Sequence, residues 1–220
     1  TLKWLSEPGI EIKWNVLYGF PGEEAADYEA LADLIPSLVH LAPPLAVGRV
    51  RMDRFAPFFE DPERWGMKSP RPYRAFECVF PFGKESLSRL AYYFDYDYAD
   101  GREPSQYAAR ALAEIEAWQQ MAGSVTLRQF NRDDGVTILT DTRPCASAFQ
   151  HRLSGWAPGL YDFCDEGRSL KKVLASAPEW GSGEQVSAAA IQRQLEEWLA
   201  DRLMVLIDGR YLSLALRAEG

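Results

Sequence analysis

Five consecutive residues, Gly19-Phe20-Pro21-Gly22-Glu23, are the first candidates in this chain for contact with a ligand. The glycines permit positive φ and close backbone approach, Pro21 fixes one φ, and the acidic pair Glu23 and Glu24 suits the positive end of a helix dipole. Such a turn can present backbone groups to a ligand, and it can equally be an ordinary connection between a strand and a helix. Arg54, beside Phe55, Phe58 and Phe59, is the next candidate. Its planar fork can clamp a peptide carboxylate or a cofactor phosphate, with an ion pair to Asp53, Glu60 or Asp61 as the alternative.

Other reactive residue types are poorly spaced for chemistry. Asp95, Asp97 and Asp100 lack the glycine-centred loop and distal bidentate glutamate of a calcium site. Cys78, Cys145 and Cys164 are an odd, scattered set, which fits reduced thiols in a cytosolic protein better than a disulfide framework or a zinc site. Cys164, between Phe163 and Asp165, reads as a small buried hydrophobe. His40 falls near a helix end, where an imidazole can satisfy carbonyls. His151 has no Ser, Cys or Glu-x-x-His context, so neither a hydrolytic triad nor a zincin is indicated.

These residues need elements to hold them. Ile10, Ile12, Trp14, Val16 and Leu17 form a nearly continuous apolar run, which predicts a strand buried on both faces and feeding the glycine-bounded turn. Leu31, Leu34, Ile35, Leu38 and Leu41 predict an amphipathic helix over residues 23 to 41, kinked or restarted at Pro36. Val47 to Phe55 is the next expected strand, with Arg49 and Arg51 sharing a face opposite Val50. Residues 62 to 83 are rich in proline and predict an irregular connector, anchored by Tyr73, Phe76, Val79 and Phe80, at a domain boundary. Lys84 to Ala91 predicts a short helix, and Tyr92 to Tyr98 alternates like a half-buried strand. Ser105 to Ala122 carries Ala108, Ala111, Leu112, Ile115 and Ala122 on one helical face.

In the last third, Ser124 to Phe130 and Val136 to Thr140 predict a hairpin around Gly135. Helices are expected over Ala146 to Leu153, Gly159 to Asp165 and Ser169 to Ala177. A further helix from Ser187 to Leu203 has Ser187 as its N-cap and buries Ile191, Leu195, Trp198, Leu199 and Leu203. Two short strands then flank Asp208-Gly209, a strong hairpin signal. Hairpin, helices and wing follow winged-helix order. DNA is disfavoured as a partner, because Glu196, Glu197 and Asp201 outweigh Arg193 and Arg202 along the helix that would read it.

Composition sets wider bounds. With 220 residues, 47% hydrophobic and 13% aromatic, the chain can bury a real core in one or two domains. A net charge of -8 and a pI near 4.9 argue against nucleic acid or an anionic membrane as partner. Without a spanning apolar run or a signal pattern, a cytoplasmic protein is expected.

Three stretches in order, WNVLYGFPGE, IPSLVHLAPP and RMDRFAPFFEDPERWG, resemble the radical S-adenosylmethionine (SAM) enzymes that mature ribosomally made peptides, in the cobalamin-associated group. That resemblance implies an α/β fold with the last strands of a βα barrel over residues 1–83; a linking region over 84–122 and, from the element order above, a winged-helix-like α+β module over 123–220 are expected to follow. It implies that Gly19, Pro21, Gly22 and Glu23 border SAM. It places Arg54 and Phe58 where the barrel closes over substrate. The parent enzyme would use SAM, a [4Fe-4S] cluster and, in this group, cobalamin. The C-x3-C-x2-C triplet that such enzymes use for the cluster does not occur here. Together with a start at Thr1 and an opening TLKWLSEPG that reads as a helix tail, this predicts a C-terminal piece of a longer enzyme, inert alone and partnered by its N-terminal part.

LYDFCDEGRSLKKVL and IQRQLEEWLADRLMVLIDGRYL resemble the leader-peptide recognition elements of peptide-maturation systems. In that family a leader adds as a strand to a sheet edge, which here would fall on Val136, Ile138 and Leu139 of a short exposed strand. A plain structural winged helix is the alternative for this module. A non-enzymatic peptide-binding or scaffold protein with a winged-helix adaptor is the alternative for the whole chain.

Overall fold

The computed structural model describes residues 1–177, 180 and 186–217. The expected C-terminal module therefore includes a few residues, 178–179, 181–185 and 218–220, that lie outside the described part. In chain order the elements are α1 (Leu2–Ser6), β1 (Asn15–Tyr18), α2 (Ala25–Leu38), β2 (Ala46–Arg49), β3 (Met52–Asp53) and α3 (Pro57–Glu60). Next come β4 (Met67–Pro72), α4 (Ala75–Val79), α5 (Lys84–Leu90), β5 (Tyr93–Tyr98), α6 (Pro104–Tyr107) and α7 (Ala109–Met121). The rest holds β6 (Leu127–Asn131), β7 (Thr137–Asp141), β8 (Gln150–Leu153), α8 (Ala157–Phe163) and β9 (Arg168–Ser169). The chain ends in α9 (Leu170–Ser176), α10 (Ala188–Ala200), β10 (Met204–Ile207), β11 (Arg210–Ser213) and β12 (Leu216–Arg217).

This is a mixed α/β chain whose described strands form four small sheets. It divides into two compact units, one of Asn15–Leu31 with Leu45–Ala113, the other of Thr1–Trp14, Ala32–Pro44 and Glu114–Gly220. That division differs from the expected sequential boundaries after residues 83 and 122, because α2 and α7 each contribute one end to each unit.

The first unit is built on two sheets. β1 and β2 pair in parallel, from Asn15 opposite Ala46 to Tyr18 opposite Arg49, with the N-terminal part of α2 in the connection between them. The expected single strand from Val47 to Phe55 is split. Val50 N–H still bonds to Tyr18 O at 2.8 Å, but Met52 already pairs with Phe94 of β5, so one run of sequence passes from the parallel pair into an antiparallel sheet of order β3-β5-β4. The expected connector supplies the outer strand of that sheet. Strand β4 carries Pro70 and Pro72, which an edge tolerates, and its register slips between Lys68 and Arg71, where Ser69 takes φ 55°. On β5 the alternation works as the sequence predicts, with Phe94, Tyr96 and Tyr98 buried and Asp97 outside, paired with Arg71 at 3.1 Å.

The other unit packs α8, α9 and α10 against a four-stranded sheet of order β12-β6-β7-β8 and a three-stranded sheet of order β10-β11-β9. Ser187 caps α10 by accepting from Ala190 N–H at 3.2 Å, and Ile191, Leu195 and Trp198 are its buried stripe. Trp198 meets Tyr161 edge-on at 5.1 Å, and the Tyr161 hydroxyl donates to Leu203 O and accepts from Ala215 N–H. The β10–β11 hairpin turns on Asp208 and Gly209, both at positive φ, as a two-residue turn of this kind requires.

Two expectations on local structure are corrected. Ile10 to Trp14 precedes β1 as non-strand chain, because the Trp14 indole N–H bonds to Ala42 O at 3.1 Å and its ring packs on Trp118 instead. β1 is not buried on both faces, since Leu17 is 52% exposed. Ala146 to Leu153 is not a helix: Gln150–Leu153 is β8, drawn into strand form by the otherwise open edge of β7.

His40 follows α2 and its Nε2 lies 3.0 Å from Leu214 O, so the neutral ring donates there while Nδ1 is buried without a partner. Burial, then the nearby Arg143 charge, pushes its pKa from 6.5 down to about 3. Between those values the unfolded chain binds a proton that the folded chain does not, so stability is full above pH 6.5 and falls as pH drops, by about 1.4 kcal/mol per unit. Urea denaturation at about pH 7 and about pH 5 should show a loss of about 2 kcal/mol that is absent in His40→Gln.

Candidate functional site

The turn after β1 is closed by its own side chain. Gly19 and Gly22 take φ of 89° and 87°. The Glu23 carboxylate accepts from Gly19 N–H and from the Tyr28 hydroxyl, each at 2.6 Å. Tyr28 is thereby held protonated, its pKa raised by burial and then by Glu23. On the other side Gly19 O accepts from the buried Tyr98 hydroxyl, and Tyr98 in turn meets Tyr96 at 3.2 Å. Glu23 is thus committed to shaping the turn, while Gly22 has open space where a side chain would stand and Phe20 is exposed. Exposed Gly22, next to half-buried Pro21, is the part of the turn with open space for a ligand.

A cavity of about 610 Å³ lies past the C-terminal end of β2, well within the size range of small-molecule sites. Arg49, Val50 and Arg51 form one side, β5 supplies Tyr93 to Tyr96, and α4 covers it with Phe76 and Val79. Helix α4 is placed there because Tyr73 N–H bonds to Tyr93 O at 2.9 Å, which fixes the chain just before the helix. Phe76 then stacks on Phe80 at 6.2 Å and leans on Tyr93 at 6.5 Å. The residues expected to anchor a connector are therefore cavity wall, with Tyr73 and Val79 exposed.

Two guanidinium groups face this wall in different states. Arg51 lies over the Tyr93 ring at 4.2 Å and pairs with Asp53 at 3.3 Å. Arg49 lies 4.6 Å from the Tyr96 centroid and 4.8 Å from that of Tyr98. It donates one bond to Tyr96 O at 3.3 Å, has no carboxylate partner among the described residues, and keeps a buried Nε–H unpaired. Burial works against its charge, but the Tyr98 and Tyr96 side chains more than offset that and hold its pKa above the ordinary value, although neither is an anion.

The other expected site residues are placed elsewhere. Arg54 donates from Nε to Ala91 O at 2.7 Å and also bonds to Ser88 O, while its plane lies over Phe59 and Phe94. It closes the C-terminal end of α5 rather than pairing with Asp53, Glu60 or Asp61. Phe58 packs edge-on against Trp65 at 5.4 Å, beside the core of this unit. Val136 and Leu139 are buried, and Ile138 lies in β7, which pairs with β6 on one side and β8 on the other. A peptide cannot add to that strand, so this expectation is corrected: the segment read as helix supplies β8 and occupies the edge.

Among the described residues, thiols and acids do not converge on a cluster. Cys78 is exposed, Cys145 donates to Pro36 O at 3.0 Å, and Cys164 is buried, its pKa pushed up to about 12 by burial. Among the described residues no three of His, Cys, Asp or Glu group as a metal site. This donor set does not fit an iron–sulfur cluster, which needs converging thiolates.

Arg49 and Arg51 are the residues that sequence reasoning placed on a strand without assigning to a site. Their signal is weak but real: two arginines two apart, at the end of a parallel strand, followed by an aromatic strand that alternates in register. No protein-family model, curated protein or solved structure matches the chain. No helix among the described residues is long and apolar enough to cross a membrane.

Proposed function

We propose that this chain is the C-terminal part of a cytoplasmic radical SAM enzyme that modifies a ribosomally made precursor peptide, with an N-terminal part as partner. The observation that carries this reading is the parallel β1–β2 pair. Its two C-terminal ends bear the Gly19–Glu23 turn and the Arg49–Arg51 cavity wall on the same edge, which is where α/β enzymes place ligands. Parallel strands are normally covered on both faces, so the exposure of Leu17 suits a sheet completed by further strands.

In this reading SAM, a [4Fe-4S] cluster and, in the group resembled, cobalamin supply radical chemistry from residues outside this chain. Gly22 and Pro21 border the cofactor, Glu23 and Tyr28 hold the turn in shape, and the aromatic cavity orients substrate. The β9-α9-α10-β10-β11 succession is the winged-helix-like part, and a leader peptide would add at an edge, β8 or β10, rather than at β7. Leu206 and Ile207, exposed on β10, provide apolar contact there. Nucleic acid is not the partner in this reading, since Arg202 is turned to Asp33 O and acids dominate the surface of α10.

The coding sequence preceding the Thr1 codon tests the enzymatic reading. A C-x3-C-x2-C triplet within a barrel-like region is expected; an unrelated domain or an in-frame stop overturns it. Hydrogen exchange with neighbouring precursor peptides tests the leader. Slowed amides at residues 150–153 or 204–207 are expected, and absence of saturable binding sinks that part. The commitment of Glu23 within its own turn favours a second reading, a non-enzymatic peptide-binding scaffold.

A further inference from the structure

Arg49 is a half-buried cation resting on the rings of Tyr96 and Tyr98, with no carboxylate within ion-pair range among the described residues, in a chain of net charge -8 with acids to spare. Buried arginines are usually matched by an acid, because an unpaired N–H is costly away from water and a carboxylate satisfies it best. Neighbouring Arg51, which is exposed, has both a ring face and Asp53. Arg49 has no such acid among the described residues, and it lines the cavity.

We propose that this cavity binds an organic anion with one carboxylate and an apolar body, the carboxylate meeting Arg49 and the body lying against Phe76, Phe80 and Tyr93. Three features select that chemistry. A guanidinium fork matches a carboxylate with two parallel bonds. Stacked Phe76 and Phe80, with Tyr93 beside them, give a flat apolar wall suited to a ring or a branched aliphatic group. A cavity of about 610 Å³ has room for a body of one or two amino-acid side chains. Asp95, the acid on the wall, stands against a second negative group on the ligand and favours a monoanion.

Both a free apolar acid and the C-terminus of an apolar peptide carry this chemistry. The assignment uses only residues 45–113 and holds whether or not the chain belongs to a radical enzyme, so its failure leaves that reading untouched.

Calorimetric titration of the full chain tests it with N-acetyl-leucyl-phenylalanine, the same dipeptide as its C-terminal amide, 3-phenylpropionate and phenethylamine. Saturable binding of the acids is expected, with the dipeptide acid at least ten-fold tighter than its amide and the amine not bound. Arg49→Met, which keeps a chain over the tyrosines, should weaken the acids ten-fold or more and leave the amide unchanged. Val79→Trp adds bulk at a position that is 68% exposed, so it folds, and it should block acid and amide alike. A dipeptide much tighter than phenylpropionate identifies a peptide end; equal affinity identifies a small acid. Equal binding of acid and amide, preference for the amine through Asp95, or full binding by folded Arg49→Met or Val79→Trp overturns the proposal.

Discussion

Replacing Arg143 by methionine is expected to destabilise the chain by about 4 kcal/mol in guanidinium denaturation. Arg143 and Asp141 have no exposed side-chain surface, and they meet through two bonds, Nη2 to Oδ2 at 2.6 Å and Nε to Oδ1 at 2.9 Å. The backbone N–H of Arg143 also donates to Asp141 at 2.9 Å. The same guanidinium donates to Ser37 O at 2.6 Å and to Arg202 O at 2.9 Å, so it joins the end of α2, the end of β7 and the turn before β10. Methionine would leave a carboxylate buried without its cation and two carbonyls without donors, the situation in which breaking a buried pair costs most. The double variant Arg143→Met/Asp141→Leu removes the stranded charge and should recover at least half of the loss. A single-variant cost below about 1 kcal/mol, or a double variant less stable than the single, would show that this pair is not what holds the three segments.

That pair also shows where sequence reading stops. Asp141 and Arg143 are two residues apart at a strand end, and nothing in Asp-Thr-Arg distinguishes a buried pair from a solvated one. Burial is decided by α2 and the turn at Arg202, which arrive from far along the chain. Features set by neighbours in sequence were legible: the β1 turn, the alternation of β5, the N-cap and stripe of α10, and the Asp208-Gly209 hairpin. Features set by pairing between distant segments were not. Gln150–Leu153 has little strand character of its own and becomes β8 because β7 needs a partner. The cavity likewise needs β2, α4 and β5 together, and the phenylalanines of α4 look like simple anchors until Tyr93 is set beneath them. Arg54 was legible as a fork among aromatic rings but not as the closure of α5, since carbonyl partners have no signature in sequence.

Gly19→Ala is expected to cost about 3 kcal/mol, the largest effect of any single methyl group added to the turn. Part of this is backbone: φ at Gly19 is 89°, and a residue with a Cβ is strained there by about 1–2 kcal/mol. The rest is collision, because the added carbon would stand 2.7 Å from the Tyr98 hydroxyl and 3.1 Å from Pro104. Tyr98 is buried and its hydroxyl is held by Gly19 O and Tyr96, so it cannot withdraw without losing bonds worth about 1 kcal/mol each. Removing that oxygen isolates the share of the collision that Tyr98 causes. In a Tyr98→Phe background the alanine should cost only about 2 kcal/mol, the backbone share plus the contact with Pro104, and equal costs in both backgrounds would place the whole effect in φ and Pro104. The Tyr98 ring is also one of the faces on which Arg49 rests. Pushing it aside should therefore displace the guanidinium and weaken binding of the apolar carboxylate several-fold, so the turn and the cavity should respond to the same substitution. Unchanged carboxylate affinity in Gly19→Ala would mean that Arg49 is positioned by Tyr96 and the end of β2 alone.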